Sequence, residues 1–422
     1  MRIRLLLTAA LSFLLLSATA PALEPPTFSD DVVRILQARC QTCHRPGEHA
    51  PFTLLTYRDA YEKKDDIRDA VKGRVMPPWK PVPGFGDFVE SRRLADGELE
   101  TLVRWIEAGA PEGDPAKLPP PLVFPEGWKL GPPDHVLEMP ETYTVSARAS
   151  DVYRCFVIPT RFAEDRWVTK VEYAPGNRKL VHHILSYIDT TPAAEALDRA
   201  DPGPGYTCFG GPGFASSGGL SGWAPGNQPR VTADGVGMLL PKGAKVVLQM
   251  HYNNNAPESR TDRTRVALHF AKGPIDKLQR TMMVLNMRFT IPPGERRYEV
   301  HASSTVPYGR DVHASTITPH MHLLGREMKV TATYPDGTVR PLIHIDDWDF
   351  NWQSTYTFAQ PIALPAGTRI DMVATFDNSA DNVRQPSHPP RPVGWGEGTT
   401  DEMAIVFLGV TVDSERIGWR PH

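Results

Sequence analysis

The run Lys245-Val246-Val247-Leu248-Gln249-Met250-His251-Tyr252 is short and alternating. It reads as a β-strand with His251 and Gln249 on one side. Working outward, comparable runs stand at Trp167 to Tyr173, Leu180 to Ile188, Met328 to Tyr334 and Arg369 to Phe376, separated by turns such as Tyr334-Pro335-Asp336-Gly337. Everything beyond Tyr143 therefore reads as all-β, with enough chain for two sandwiches joined near Ile291-Pro292-Pro293-Gly294. The 42 Pro and 33 Gly among 422 residues fit short strands and many turns better than helical bundles.

Upstream the periodicity changes. Ser29 can cap a helix with Val32, Val33, Ile35 and Leu36 on one face, running into Cys40. A second helical stretch spans Tyr57 to Val75, and a third, Asp96 to Ala108, is closed by Gly109. From Pro111 to Pro140 the chain is Pro-rich and aperiodic, which marks a linker. At the start, Arg2 and Arg4 precede the apolar run Leu5 to Leu16, and Ala20-Pro21-Ala22 ends in a small-x-small pattern, as in an export signal cleaved before Leu23. That run is shorter than the roughly 20 residues a span requires, so no membrane span is expected after cleavage. The expected compartment is periplasmic or secreted, where disulfides form. A net charge of -3 offers no basic field for nucleic acid, which leaves a small molecule as the expected partner.

Cys40-Gln41-Thr42-Cys43-His44 matches the C-x-x-C-H signature of covalent haem c attachment. Two thiols at a helix end can each bond a haem vinyl group, and the next imidazole is then held against the iron. A redox disulfide or half a zinc site is the competing reading. Met76, in Val75-Met76-Pro77-Pro78-Trp79, is placed to offer a thioether as sixth ligand, with His49 as its competitor. The stretch from Cys40 through Met76 to Ala110 resembles small bacterial c-type cytochrome domains, which implies one-electron transfer.

Several of the 14 histidines are patterned. In Thr318-Pro319-His320-Met321-His322 two imidazoles stand at i and i+2, on one face of a strand and about 6.5 to 7 Å apart at Cα. In Lys179-Leu180-Val181-His182-His183-Ile184 the pair is adjacent, so a regular strand would turn the rings to opposite faces. Both reach one metal only at a strand end or a bulge. His251 is a candidate third ring.

In order, Cys155, His182-His183, Cys208, Gln249-Met250-His251-Tyr252, His320-Met321-His322-Leu323-Leu324-Gly325 and Thr400-Asp401-Glu402-Met403 resemble the motifs of the type II, ascorbate-dependent copper monooxygenases. This is the family of peptidylglycine alpha-hydroxylating monooxygenase and dopamine beta-monooxygenase, and the resemblance spans about 148 to 415. It implies two copper ions: an electron-storing one on His182, His183 and His251, and an oxygen-binding one on His320, His322 and Met403. It also implies a Cys155 to Cys208 disulfide, with Tyr153 and Gln249 beside the storing copper. Imidazoles suit a redox-cycling copper, and a thioether favours Cu(I). The chain departs from the peptide-hydroxylating members at Thr318, where they hold a substrate carboxylate with Arg, and at Phe407, where they have Tyr.

The sequence thus predicts a multidomain chain: signal peptide 1–22, a small all-α cytochrome c domain 23–112, a Pro-rich linker 113–145, and two antiparallel, jelly-roll-like β-sandwich domains, 146–290 and 291–422. The expected activity inserts one atom of O2 into a C–H bond of a small organic substrate, with electrons supplied or relayed by the haem and a reductant or redox partner protein behind it. The alternative is a non-catalytic electron-transfer or copper-binding haem protein.

Overall fold

The structure, a computed structural model, describes residues 24–48, 50–307 and 309–421. The export signal and His49 lie outside the described residues. Among the described residues no helix is long and apolar enough to cross a membrane.

Strand is the dominant element, 35% against 13% in helix, and among the described residues no all-α domain is present. This overturns the expected fold of a cytochrome-like helical domain followed by two sandwiches. Helices do form at Val33–Arg39, Tyr57–Glu62, Lys64–Lys72 and Asp96–Glu107. They share a core of Phe28, Leu36, Leu102 and Trp105. The chain between the third and fourth, however, leaves that core and joins the second half of the molecule. Pro77, Pro78, Pro81 and Pro83 bar a helix there. Pro81 instead bridges Ile345, and Phe88 bridges Phe358. The Val82 and Val89 amides donate to the carbonyls of His344 and Thr357 at 2.8 and 3.0 Å. Trp79 and Phe88 pack on that half's core.

The β region contains four larger sheets. One runs in the order His135–Glu138, Arg265–Phe270, Arg166–Ala174, Val236–Leu240, Lys277–Leu278, with Arg230–Val231 paired to the side of Arg166–Ala174. The second runs Tyr206–Thr207, Val152–Pro159, Lys245–Tyr252, Val181–Asp189, Ser221–Trp223. One core lies between them, with Val168, Val171 and Leu268 meeting Phe156, Ile184, Leu248 and Met250. The other two sheets are Arg280–Leu285, Ile405–Val412, Val312–His320, Tyr356–Leu364 and Tyr298–Thr305, Arg369–Phe376, Gly325–Thr333, Val339–Ile345. They enclose a second core that includes Ile317, Leu408, Met328, Val330 and Met372. Strands His135–Glu138 and Tyr143–Val145 fall within the Pro-rich stretch, and Arg280–Leu285 pairs with Ile405–Val412 ahead of the Pro292-Pro293 junction.

Candidate metal centre

Alternation within Lys245–Tyr252 sends Val246, Leu248, Met250 and Tyr252 into the first core. Val247, Gln249 and His251 are left for the other face. There His251 stands opposite His183 on one neighbour and Tyr153 on the other. The register then slips: His251 pairs with His183, but Tyr252 pairs with Val181, so His182 is the extra residue of a β-bulge. A bulge suspends the in-out alternation of its strand. Both adjacent rings can therefore meet His251.

His182 Nδ1 lies 3.2 Å from His183 Nδ1, and His251 Nδ1 lies 3.4 Å from the same atom. Imidazole nitrogens bound about 2.0 Å from one metal stand about 3.3 to 3.5 Å apart in tetrahedral or trigonal geometry. Two of the three separations fit a metal ion on those terms, and the ligand atoms of all three rings lie within 4.8 Å of one another. Burial, and then the neighbouring rings, hold His182 down at about 3 and His183 well below the ordinary imidazole value, so both rings are neutral, as metal ligands must be. Asp151 Oδ1 takes a hydrogen bond from His251 Nε2 at 2.9 Å and leaves Nδ1 free. Asp151 itself sits at φ +51, a backbone region that non-glycine residues rarely adopt. Tyr153 stacks on His251 with ring centroids 4.2 Å apart, and its hydroxyl donates to the Glu397 carbonyl at 2.9 Å. Gln249 donates to the Cys208 carbonyl at 2.8 Å, and Cys208 is disulfide-bonded to Cys155, so this link closes as expected.

A second set lies on the other half. The rings of His320 and His322 are 5.1 Å apart, and both have Nδ1 engaged, His320 by Gln353 Oε1 at 2.6 Å and His322 by the Asp401 carbonyl at 3.0 Å. Both acceptors lack a proton to give, which puts the proton on Nδ1 and leaves each Nε2 as a free donor atom. Met403 is buried on the loop that carries Asp401. Glu402, fully buried, accepts backbone N–H bonds from His322 at 2.8 Å, Leu324 at 2.5 Å and Met403 at 3.3 Å. Burial pushes its carboxyl up to about 8 against the pull of those donors. One carboxyl thus ties the His320-to-Leu324 turn to the Met403 loop.

A single aromatic ring separates the two sets. Phe350 stacks on His182 at 4.7 Å and meets His322 edge-on at 5.6 Å. Its loop also supplies Gln353 and Trp348, whose Nε1 donates to the His322 carbonyl at 3.0 Å. Cys40, Cys43 and His44 stand apart, at the edge of the helical core. The thiols are free, and His44 Nδ1 donates to the Phe52 carbonyl at 3.2 Å, which leaves Nε2 available. Burial raises the Cys40 thiol to about 12 and holds His44 below its ordinary value. Met76 is half-buried in the turn after Lys64–Lys72.

Asp151, Phe350, Gln353 and Glu402 were not singled out from the sequence in these roles. A usable signal was present for two of them: the aromatic and acidic run Asp347-Trp348-Asp349-Phe350-Asn351-Trp352-Gln353 is too polar for a strand and too aromatic for an idle loop.

A chain with this site is distantly similar to a human protein, DBH-like monooxygenase protein 1. The two are 25% identical over 281 residues, covering 60% of this chain and 43% of that one. The chain thus spans less than half the length of this relative. No known protein-family profile matches. Among solved structures, the major capsid protein P2 of bacteriophage PM2 aligns over 68% of this chain and 99% of its own, at 11% identity and TM-score 0.26. The PBSX exported protein XepA aligns over 57% and 86%, at 11% identity and TM-score 0.17. Likenesses that weak carry no argument about fold or function.

Proposed function

We propose that this chain is an exported copper-dependent monooxygenase that hydroxylates a C–H bond of a small organic substrate. The observation that carries this reading is the meeting of three imidazole Nδ1 atoms at the His182 bulge. It is supported by the facing His320 and His322 pair and by the distant similarity to a monooxygenase. His182, His183 and His251 would hold one copper, and His320, His322 and Met403 the other. When bound, the first copper would store an electron and the second would activate dioxygen.

The protein's part is placement. Asp151, Gln353 and the Asp401 carbonyl each fix a ring tautomer, so that a bare nitrogen faces inward. Glu402 holds the thioether loop against the histidine turn, and Phe350 packs against a ring of each set. Cys40, Cys43 and His44, with Met76 as sixth ligand, would hold a haem c that relays single electrons from a partner. The donor set suits it: two unpaired thiols and an imidazole whose outer nitrogen is already engaged.

The test is oxygen uptake by protein matured in a periplasm, reduced, and offered a panel of small organic substrates. Uptake that rises with one substrate, coupled to a hydroxylated product, is the expected result. Slow uptake indifferent to every substrate would overturn the reading.

A further inference from the structure

The loop that carries Trp348, Phe350 and Gln353, residues 346–355, crosses from one sheet of the second half to the other. Its stems, Val339–Ile345 and Tyr356–Leu364, are edge strands of different sheets. A loop without regular structure takes its shape from what holds its roots. Here both roots are held by one segment of the helical head, residues 79–92. At the first stem Pro81 bridges Ile345, and the Val82 amide donates to the His344 carbonyl at 2.8 Å. At the second, Phe88 bridges Phe358, and the Val89 amide donates to the Thr357 carbonyl at 3.0 Å. The Tyr356 ring lies 5.3 Å from Trp79 and 5.5 Å from Phe88, centroid to centroid.

Lys80 takes hold of the loop itself. Its side chain is 7% exposed, and its Nζ lies 2.7 Å from the Asp347 carboxylate, which is 69% exposed. Asp347 could be solvated elsewhere, but a buried ammonium without its anion is costly, so the cation fixes where the carboxylate stands. Asp347 precedes Trp348, whose Nε1 donates to the His322 carbonyl at 3.0 Å. Phe350 stacks on His182 and meets His322, and Gln353 accepts from His320 Nδ1 at 2.6 Å. Gln353 Nε2 also donates to the Phe350 carbonyl at 2.9 Å, so these contacts move as one unit. Arg92, at the far end of the same segment, donates to the Gly226 carbonyl of the first half at 3.4 Å, beside the Trp352 ring.

We infer that Lys80 is a positioning residue for the metal centre. Its ion pair with Asp347 fixes the loop that orients the His320 ring and seats Phe350 between the two sets, so the helical head shapes both sets through this loop. The inference rests on the copper reading for one of its two readouts only.

The test compares the full native chain with Lys80→Met, Asp347→Asn and Lys80→Arg, by hydrogen–deuterium exchange of metal-free protein and by copper affinity. Lys80→Met keeps the stem and removes the charge; Asp347→Asn, at an exposed position, serves if the Met variant fails to fold. In both, peptides covering 346–355 are expected to exchange about tenfold faster, as loss of a charge-assisted bond allows. Peptides around the Cys155 to Cys208 disulfide should keep native rates, and Lys80→Arg, which keeps the charge, should restore most of the protection. Copper on His320 and His322, followed by its paramagnetic resonance signal in competition with a chelator, should bind about tenfold more weakly in the same two variants. Native exchange rates in folded Lys80→Met and Asp347→Asn, or acceleration spread evenly over the second half, would overturn the inference, as would faster exchange with unchanged copper affinity. A native chain without copper at His320 would overturn the proposed function instead, and the exchange rates alone would then decide for or against Lys80.

Discussion

Replacing Glu402 with alanine should cost more than any surface change in the second half, because one buried carboxyl accepts backbone bonds from both the His320-to-Leu324 turn and the Met403 loop. Three backbone donors, from His322, Leu324 and Met403, end on its oxygens. Stranding a buried N–H costs about 1 to 3 kcal/mol. Three of them sum to about 3 to 9 kcal/mol, comparable with the about 5 to 15 kcal/mol that holds a typical domain folded. Glu402→Gln keeps one carbonyl oxygen and turns the other toward a donor, so about 1 to 3 kcal/mol is expected there. Urea unfolding followed by tryptophan fluorescence reads both values, with each transition fitted separately because a chain with several cores need not unfold in one step. An alanine variant within about 0.5 kcal/mol of native, the range of ordinary surface substitutions, would refute the reasoning.

Three further outcomes follow from single contacts. Asp151→Asn removes the carboxylate that holds His251 Nε2 at 2.9 Å, and copper affinity at that site, measured by competition with a chelator, should fall about 10- to 100-fold. Cys155→Ser opens the link to Cys208, and the loss in chemical unfolding should be about 2 to 5 kcal/mol. Asp201, held down at about 2 chiefly by its hydrogen bonds from Arg154 and then by the Gly203 amide, contributes stability that is present above its ordinary value and lost as pH falls toward 2. Asp201→Asn should therefore lower the melting temperature at neutral pH by more than it does near pH 3, and an equal shift at both would contradict that assignment.

Much of the first histidine set was legible in one strand. Apolar alternation in Lys245–Tyr252 fixes the face that His251 and Gln249 share, and the pairings with Cys155 and His183 put that face where the notional ligands are needed. The adjacency of His182 and His183 could be read only as a condition, a bulge or a strand end, because register belongs to two strands and not to one. Asp151 was out of reach for the same reason, since it acts from a loop whose partner is distant in sequence; for Phe350 and Gln353 the composition of the run marked the loop, but not the histidines it would meet. The reading of a separate all-α domain failed at a specific place, the Pro-rich loop expected between the second and third helices. Helix periodicity was real in the segments around Leu36 and Leu102, but Pro77 to Pro83 offered extended backbone, and the edges of the second half's sheets took it up. Local pattern named the helices and could not say that they lack a separate domain.

The most direct test of the central claim is copper stoichiometry, by elemental analysis with electron paramagnetic resonance, on the native chain, His183→Ala and His322→Ala. Two coppers in the native chain and one in each variant, with the surviving signal differing between them, is the result the account predicts. Native protein without stoichiometric copper, or a His183→Ala variant that keeps both ions, would contradict it.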